Sequence, residues 1–309
     1  MTARVLVRTA VLLALPIAVA GCAAAPADVA VESSGGAAAV AGAEPVRPAE
    51  TVLTLPLDAY ALTAAEDHVL ARAAEAHVRH CATSLGLDAA AVDPLPFGTA
   101  AESASAAAGR HDRRYAVADP EVAAAHGYHP PSTTDVRREF YEAHTDAELA
   151  ILVGATADGV PTAREGIPDG GCLGAAARAT AVADEAALRA GQELVSAVQS
   201  DAWHAALANP RVLDAFAAWS ACMAEAGYDY AAPMDANDDP RWWTSDVAGP
   251  EEIATAVADV ACKESTGLIA VWSAVEAGHQ SRLIAASRAE LDAYRALLDA
   301  QVSAASTAR

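Results

Sequence analysis

The chain has 309 residues, with 20 lysines and arginines against 41 aspartates and glutamates, a formal net charge of −21. Such a surface repels nucleic acid and anionic headgroups, so neither a basic phosphate-binding patch nor a nucleic-acid partner is expected. Lys263 is the single lysine; every other strong cation is an arginine.

The N-terminus opens with Arg4 and Arg8, followed by an apolar run from Ala10 to Ala20. About a dozen apolar residues fall short of the ~20 that a membrane span needs, and match the core of a signal peptide. The run ends Val19-Ala20-Gly21-Cys22. Small residues leading to a cysteine in this context resemble the lipobox of bacterial lipoproteins. The resemblance implies that residues 1–21 are a signal peptide cleaved before Cys22. It also implies that a diacylglycerol on the Cys22 thiol anchors the chain at the extracytoplasmic face of the cell membrane. At ~0.8 kcal/mol per buried methylene, a diacyl chain is a stable anchor. Residues 23–50 are Ala, Gly, Pro, Ser and Glu with almost no large apolar side chain, so 22–50 reads as the lipidated cysteine and a flexible tether. Residues 51–309 suffice for one large core or for two halves, 51–200 and 201–309.

The body is rich in alanine, with apolar residues at three- and four-residue spacing and almost no alternation. This predicts an all-α fold, an irregular helical bundle with long loops. Thr63-Ala-Ala-Glu66 is a capping box, opening a helix to about Leu85 with Leu70, Ala74, Val78, Cys81 and Leu85 on its apolar face and Gly86 just past its end. The prolines from Pro94 to Pro131 predict an irregular stretch over 93–131. A helix is expected over 134–144, and Thr145-Asp-Ala-Glu148 caps another. Five glycines and two prolines make 154–171 a loop. One long helix is expected from Cys172 toward Ser200. Asn209-Pro210 starts a helix with Val212, Phe216, Trp219 and Met223 on one face, ending at Gly227. Residues 228–248 read as loop. Gly249-Pro-Glu-Glu252 opens a last helix to about Ser303, ~80 Å if unbroken, with Gly267 and Gly278 as places for a bend.

With Cys22 set aside, Cys81, Cys172, Cys222 and Cys262 remain. An even set in an exported chain predicts disulfides, and four cysteines allow three pairings. A weak internal parallel favours Cys81–Cys172 and Cys222–Cys262: each of Cys81 and Cys222 sits near a helix end followed by glycine, a long loop and a further cysteine. Zinc is the rival use, but no Cys-x-x-Cys is present.

Asp235, Asn237, Asp239 and Asp246 place oxygens at positions 1, 3, 5 and 12 of a segment that resembles the EF-hand calcium loop. Pro240 stands where that loop has glycine, Asp246 where it has glutamate, and the preceding helix ends too early. A metal-free acidic loop is the simpler reading, and no cofactor is expected beyond this candidate Ca²⁺. Tyr228, Tyr230, Trp242 and Trp243 crowd the same segment, either packing the loop onto a core short of bulk or forming a surface for a sugar, peptide or protein. His77, His80, His126 and His129 read as surface or capping residues. No nucleophile elbow, Ser-x-x-Lys or phosphate loop occurs.

The layout as a whole is similar to that of secreted lipoproteins of actinobacteria. The residues that carry the likeness are Gly-Gly-Cys172, Asn209-Pro-Arg-Val212, Trp219-Ser-Ala-Cys-Met223 with Gly-Tyr228, Ala258-Asp-Val-Ala-Cys-Lys263 and Trp272-x-x-Val-Glu276. It implies helices and paired cysteines and carries no activity. The expected function is a non-enzymatic envelope protein that binds a protein partner, a peptide or a cell-wall component. A cell-wall hydrolase using paired carboxylates and a calcium-stabilised module are the alternatives.

Overall fold

The computed structural model describes residues 53–131, 136–162 and 165–307. The expectations for the signal peptide, Cys22 and the tether fall on residues outside these. The described residues belong to one compact unit, Glu50–Arg309. It is all-α: twelve α-helices and, among the described residues, no strand. No described helix is long and apolar enough to cross a membrane.

A 3-10 turn at Pro56–Tyr60 precedes α1 (Ala64–Ser84). The Thr63 hydroxyl accepts the Glu66 N–H at 3.3 Å while Glu66 Oε2 accepts the Thr63 N–H at 2.8 Å, so the expected box forms. Gly86, with φ +86°, closes the helix: its N–H reaches Thr83 O, and the Leu87 N–H reaches Ala82 O. This satisfies two terminal carbonyls of the helix. The apolar face turns on Val78, Ala82 and Ala73, while Leu70, Ala74, Cys81 and Leu85 are half-buried.

Residues 93–131 are more ordered than their prolines suggest. They hold α2 (Ala100–Ala108), which starts on the capping box Thr99…Glu102, and α3 (Pro120–His126), which starts on Asp119 with Pro120 at its first position. Both start signals are in the sequence. Apolar periodicity does not reveal α2, because it is built of Ala and Ser and buries only Ser103.

α4 (Val136–Ala143) and α5 (Asp146–Leu152) follow, α5 on its Thr145–Glu148 box. The long helix expected from Cys172 is two helices, α6 (Gly171–Ala179) and α7 (Glu185–Leu207). Asp184 caps the second by accepting the Ala187 N–H, at the point where the chain turns. α8 (Pro210–Glu225) starts at Asn209 as expected and buries Val212, Phe216, Trp219 and Met223 together. The 228–248 loop contains a short α9 (Pro233–Asn237) and a 3-10 turn at Trp242–Thr244.

The last rod is three helices: α10 (Pro250–Thr266), α11 (Leu268–Ala286) and α12 (Arg288–Thr307). Gly267 breaks it in a left-handed conformation, φ +64°. Gly278 lies inside α11, and the second break falls at Ser287 instead. Folding back lets α11 and α12 each pack against α7. Gly191, in the second turn of α7, permits the close contact with α12: a Cβ there would lie 2.2 Å from the Tyr294 ring.

Both expected disulfides form, Cys81–Cys172 and Cys222–Cys262, with Cα separations of 5.6 and 5.7 Å. The first ties α1 to α6 beside an aliphatic cluster of Val78, Ala82, Leu149 and Leu152. The second ties α8 to α10 beside the largest cluster, which contains Tyr115, Tyr128, Trp219, Trp242 and Trp272. A third cluster, around Leu57, Tyr60, Val198, Ile284 and Leu291, joins the first 3-10 turn to α7, α11 and α12.

Candidate functional site

The 228–248 segment uses its polar groups internally. Asp235 Oδ2 accepts the Ala232 N–H and so caps α9. Asn237 is buried, donating to Asp238 and facing Arg113. Asp239 accepts from Arg241 and from the Tyr230 hydroxyl, and the Arg241 guanidinium beside it holds its carboxyl down to about 2. Asp246 is exposed. Among the described residues, no group of three or more His, Cys, Asp or Glu side chains is placed to hold a metal ion. Asp235 and Asn237 are wound into α9, where the EF-hand calcium loop needs a turn.

The aromatic residues of this segment divide. Trp242 is buried, donates its indole N–H to Ala236 O at 2.8 Å and stacks with Tyr128. Tyr228 and Tyr230 are half-buried against the same core. Only Trp243 is exposed, 48%. A two-tryptophan stacking surface is therefore not built; three of the four aromatics pack on a core that also holds Trp219 and Trp272.

Beneath this loop lies a buried polar stripe that the sequence reading missed. Glu252, Thr255, Asp259 and Lys263 share one face of α10, all buried. Asp259 Oδ1 accepts the Trp219 indole N–H at 2.9 Å, and Asp259 Oδ2 pairs with Lys263 Nζ at 2.8 Å. Lys263 also donates to Val117 O at 2.7 Å. Burial pushes the Asp259 carboxyl up and the Lys263 ammonium down, and each charge opposes the other's shift. Glu252 Oε1 accepts the Tyr128 N–H and pairs with His129 Nδ1, both at 2.8 Å. His129 Nε2 faces Ser245 O at 2.9 Å. An acceptor at each ring nitrogen favours the doubly protonated ring, and the Glu252 carboxylate raises the His129 pKa. Gly127, at φ +57°, is required here, since a Cβ would sit 2.7 Å from Glu252 Oε1. His129 is thus a buried partner of α10 where a surface or capping role was expected.

A second buried carboxylate network lies under α11. Glu276 accepts from Arg114 and from the Tyr115 hydroxyl (2.8 Å), and Gln280 Nε2 donates to it at 3.0 Å. Gln280 Oε1 in turn accepts the Leu57 N–H. Above this network the surface opens. A cleft of about 380 Å³ is lined by Arg114, Ser196, Gln199, Ser200 and Trp203. It meets a smaller one of about 180 Å³ at Arg114 and Gln199, where Asp58 and His111 pair at 2.9 Å. That one meets a third, about 610 Å³, at Ala61 and Arg110. The middle cleft is smaller than an ordinary ligand pocket, but the outer two are within the usual size range.

This groove is the candidate site. Its signal in the sequence is compositional: the chain has four glutamines, Gln192, Gln199, Gln280 and Gln301, and all four line it. A further cleft, by His68 and Phe97, has Glu75 and Asp93 on its walls, both bonded to Arg79. Those two carboxylates face an arginine between them, an arrangement that holds α1 to the loop after it. No family model matches the chain, and no curated protein or solved structure is similar to it.

Proposed function

We propose that the protein is a lipid-anchored, extracytoplasmic component of the cell envelope that binds an envelope partner or cell-wall ligand without chemically altering it. The observation that carries this reading is the use of the cysteines. All four in the folded body are spent as two disulfides, which persist in an oxidising compartment. The fifth, Cys22, stands alone at the end of a lipobox-like sequence. The membrane is then a partner through the diacylglycerol, and the groove along α7 replaces the tryptophan loop as the binding surface.

The test is fractionation with lipid labelling. The wild type should take up labelled palmitate and sediment with membranes, and Cys22→Ala should do neither. A Cys22→Ala protein that still partitions with membranes and carries label would sink the anchoring assignment.

A further inference from the structure

The groove follows one face of α7. Leu188, Gln192, Val195, Gln199 and Trp203 recur at three- and four-residue spacing and line the three joined clefts in turn. Fifteen residues at 1.5 Å per residue make that wall about 22 Å long. Such a length suits several units of a linear polymer better than one small molecule.

The polar groups on this wall sort into committed and free. Every carboxylate is committed: Asp58 to His111 and the Leu55 N–H, Asp67 to the Ser103 hydroxyl, Glu276 to Arg114 and its neighbours. Gln280 and Gln301 donate to Glu276 and to Thr180 O. Gln192 and Gln199 are exposed, and among the described residues their amides have no hydrogen-bond partner. They sit seven residues apart, two turns along the same face, with the Ser196 hydroxyl between them. Trp203 closes the far end. Its ring is braced by Tyr115, Trp272 and the Arg114 guanidinium, and it is half-exposed.

We propose that this groove is a glycan-binding site, taking a neutral, N-acetylated or polyhydroxylated sugar chain. The inference rests on the envelope-binding reading for where such a polymer is met. A primary amide offers two donors and an acceptor, the complement of ring hydroxyls and acetamide groups, which themselves both donate and accept. The charge of Arg114 is matched by Glu276, and Arg110, which donates to Leu62 O, shares the other two clefts with Asp58 and Asp67, so no cleft presents a single sign of charge to the ligand. A peptide is less well served. The described residues offer no sheet edge for strand addition, and at the Trp203 end four of the five lining residues are hydrogen-bonding polar groups, so the apolar wall that a helix or side-chain anchor needs is confined to the 610 Å³ cleft, around Leu62, Leu70, Leu188 and Leu298.

The experiment is calorimetric titration of the full-length protein in detergent with a β-1,4-linked N-acetylglucosamine hexamer and, separately, a glucose hexamer. An extended twelve-residue Gly/Ser/Pro peptide serves as the competing class. Saturable binding of at least one hexamer is expected. Gln192→Ala/Gln199→Ala should weaken it roughly tenfold or more, since each amide hydrogen bond is worth about 0.5–1.5 kcal/mol, with an unchanged melting temperature. Trp243→Ala should bind as the wild type does. Failure of both hexamers to bind, binding of the peptide alone, or undiminished binding by the double variant overturns the proposal. Because the titration does not depend on the anchor, its failure is separable from failure of the Cys22→Ala fractionation.

Discussion

The two disulfides staple two unlike regions. Cys81–Cys172 sits in a cluster of aliphatic side chains with Phe140, where α1 packs on α6 and, among the described residues, no ion pair is buried. Cys222–Cys262 sits in a cluster with six buried aromatic side chains and beside three buried charge pairs, Asp259–Lys263, Glu252–His129 and Glu276–Arg114. The difference follows from what each region covers. α1 and α6 satisfy their own backbones, so apolar faces suffice. The second region buries the non-helical stretches on either side of α3, Tyr115–Val117 and Gly127–His129, whose free backbone groups need partners. Side chains supply them: Lys263 takes Val117 O, Arg113 takes Tyr128 O and Glu252 takes the Tyr128 N–H. Buried charge appears where non-helical backbone is buried.

That contrast can be broken at the sulfurs first. Cys81→Ser/Cys172→Ser opens a closure between residues 91 apart, and Cys222→Ser/Cys262→Ser one between residues 40 apart. Chain entropy alone predicts losses of about 4–5 and about 4 kcal/mol, the first being the larger. Urea unfolding of each double variant measures the order. A larger loss at Cys222–Cys262 would mean that this disulfide also positions the polar stripe on α10.

The next effect tests the charges. Lys263→Met leaves the buried Asp259 carboxylate without its cation and Val117 O without its donor, and should cost about 3–5 kcal/mol. Asp259→Leu/Lys263→Met removes both charges and should recover a large part of that loss. The same denaturation curves read it. If the double variant is as unstable as the single one, then the unmet Val117 carbonyl and Trp219 indole outweigh the stranded charge.

The two regions also differed in how readable they were. Around Cys81 the caps, the helix ends and the disulfide follow from local signals: Thr63 with Glu66, Thr145 with Glu148, Gly86 after the last turn. Around Cys262 the helix starts at Asn209 and Gly249 are equally plain. The pairing of Glu252 with His129 spans 123 residues and leaves no local mark. Periodicity places Asp259 and Lys263 on one face of α10 but cannot say that the face is inside, because an acid and a lysine four apart usually mark a solvated surface. The one available hint was that Lys263 is the single lysine in a chain that otherwise uses arginine. Trp242 and Trp243 are adjacent in sequence yet point into the core and into solvent. The groove was legible only in retrospect, as the place where four scarce glutamines converge from α7, α11 and α12.

A smaller effect separates the regions by pH. The folded pKa of His129 is raised above its ordinary value near 6.5, chiefly by the Glu252 carboxylate. A group protonated more readily in the folded state stabilises it fully below the unfolded pKa, and that contribution fades as pH rises through the folded value. Asp246 adds to the same field, and the Trp243 ring packs on the imidazole. The stability gap between wild type and His129→Phe should therefore be widest near about pH 5–6 and narrow toward about pH 9. A gap independent of pH would mean that His129 contributes packing alone. The aliphatic cluster holds no such buried ion pair among the described residues, so Leu152→Ala should shift stability equally at both ends of that range.

The smallest expected effect lies on the outer surface of the first region. α2 is nine residues long, buries only Ser103 and starts on the Thr99–Glu102 box, in which Glu102 Oε2 accepts the Thr99 N–H at 2.6 Å. A helix this short is marginal by itself, and capping and packing on α1 decide whether it forms. Thr99→Ala removes about 1 kcal/mol of capping. Because so little of α2 is buried, the loss should appear as local opening: faster amide exchange over 100–108 with global unfolding nearly unchanged. Thr145→Ala removes the same chemistry from α5, which buries Leu149, Ala150, Ile151 and Leu152. There the loss should lower global stability instead. Equal behaviour of the two variants would show that α2 belongs to the cooperative core despite its exposed surface.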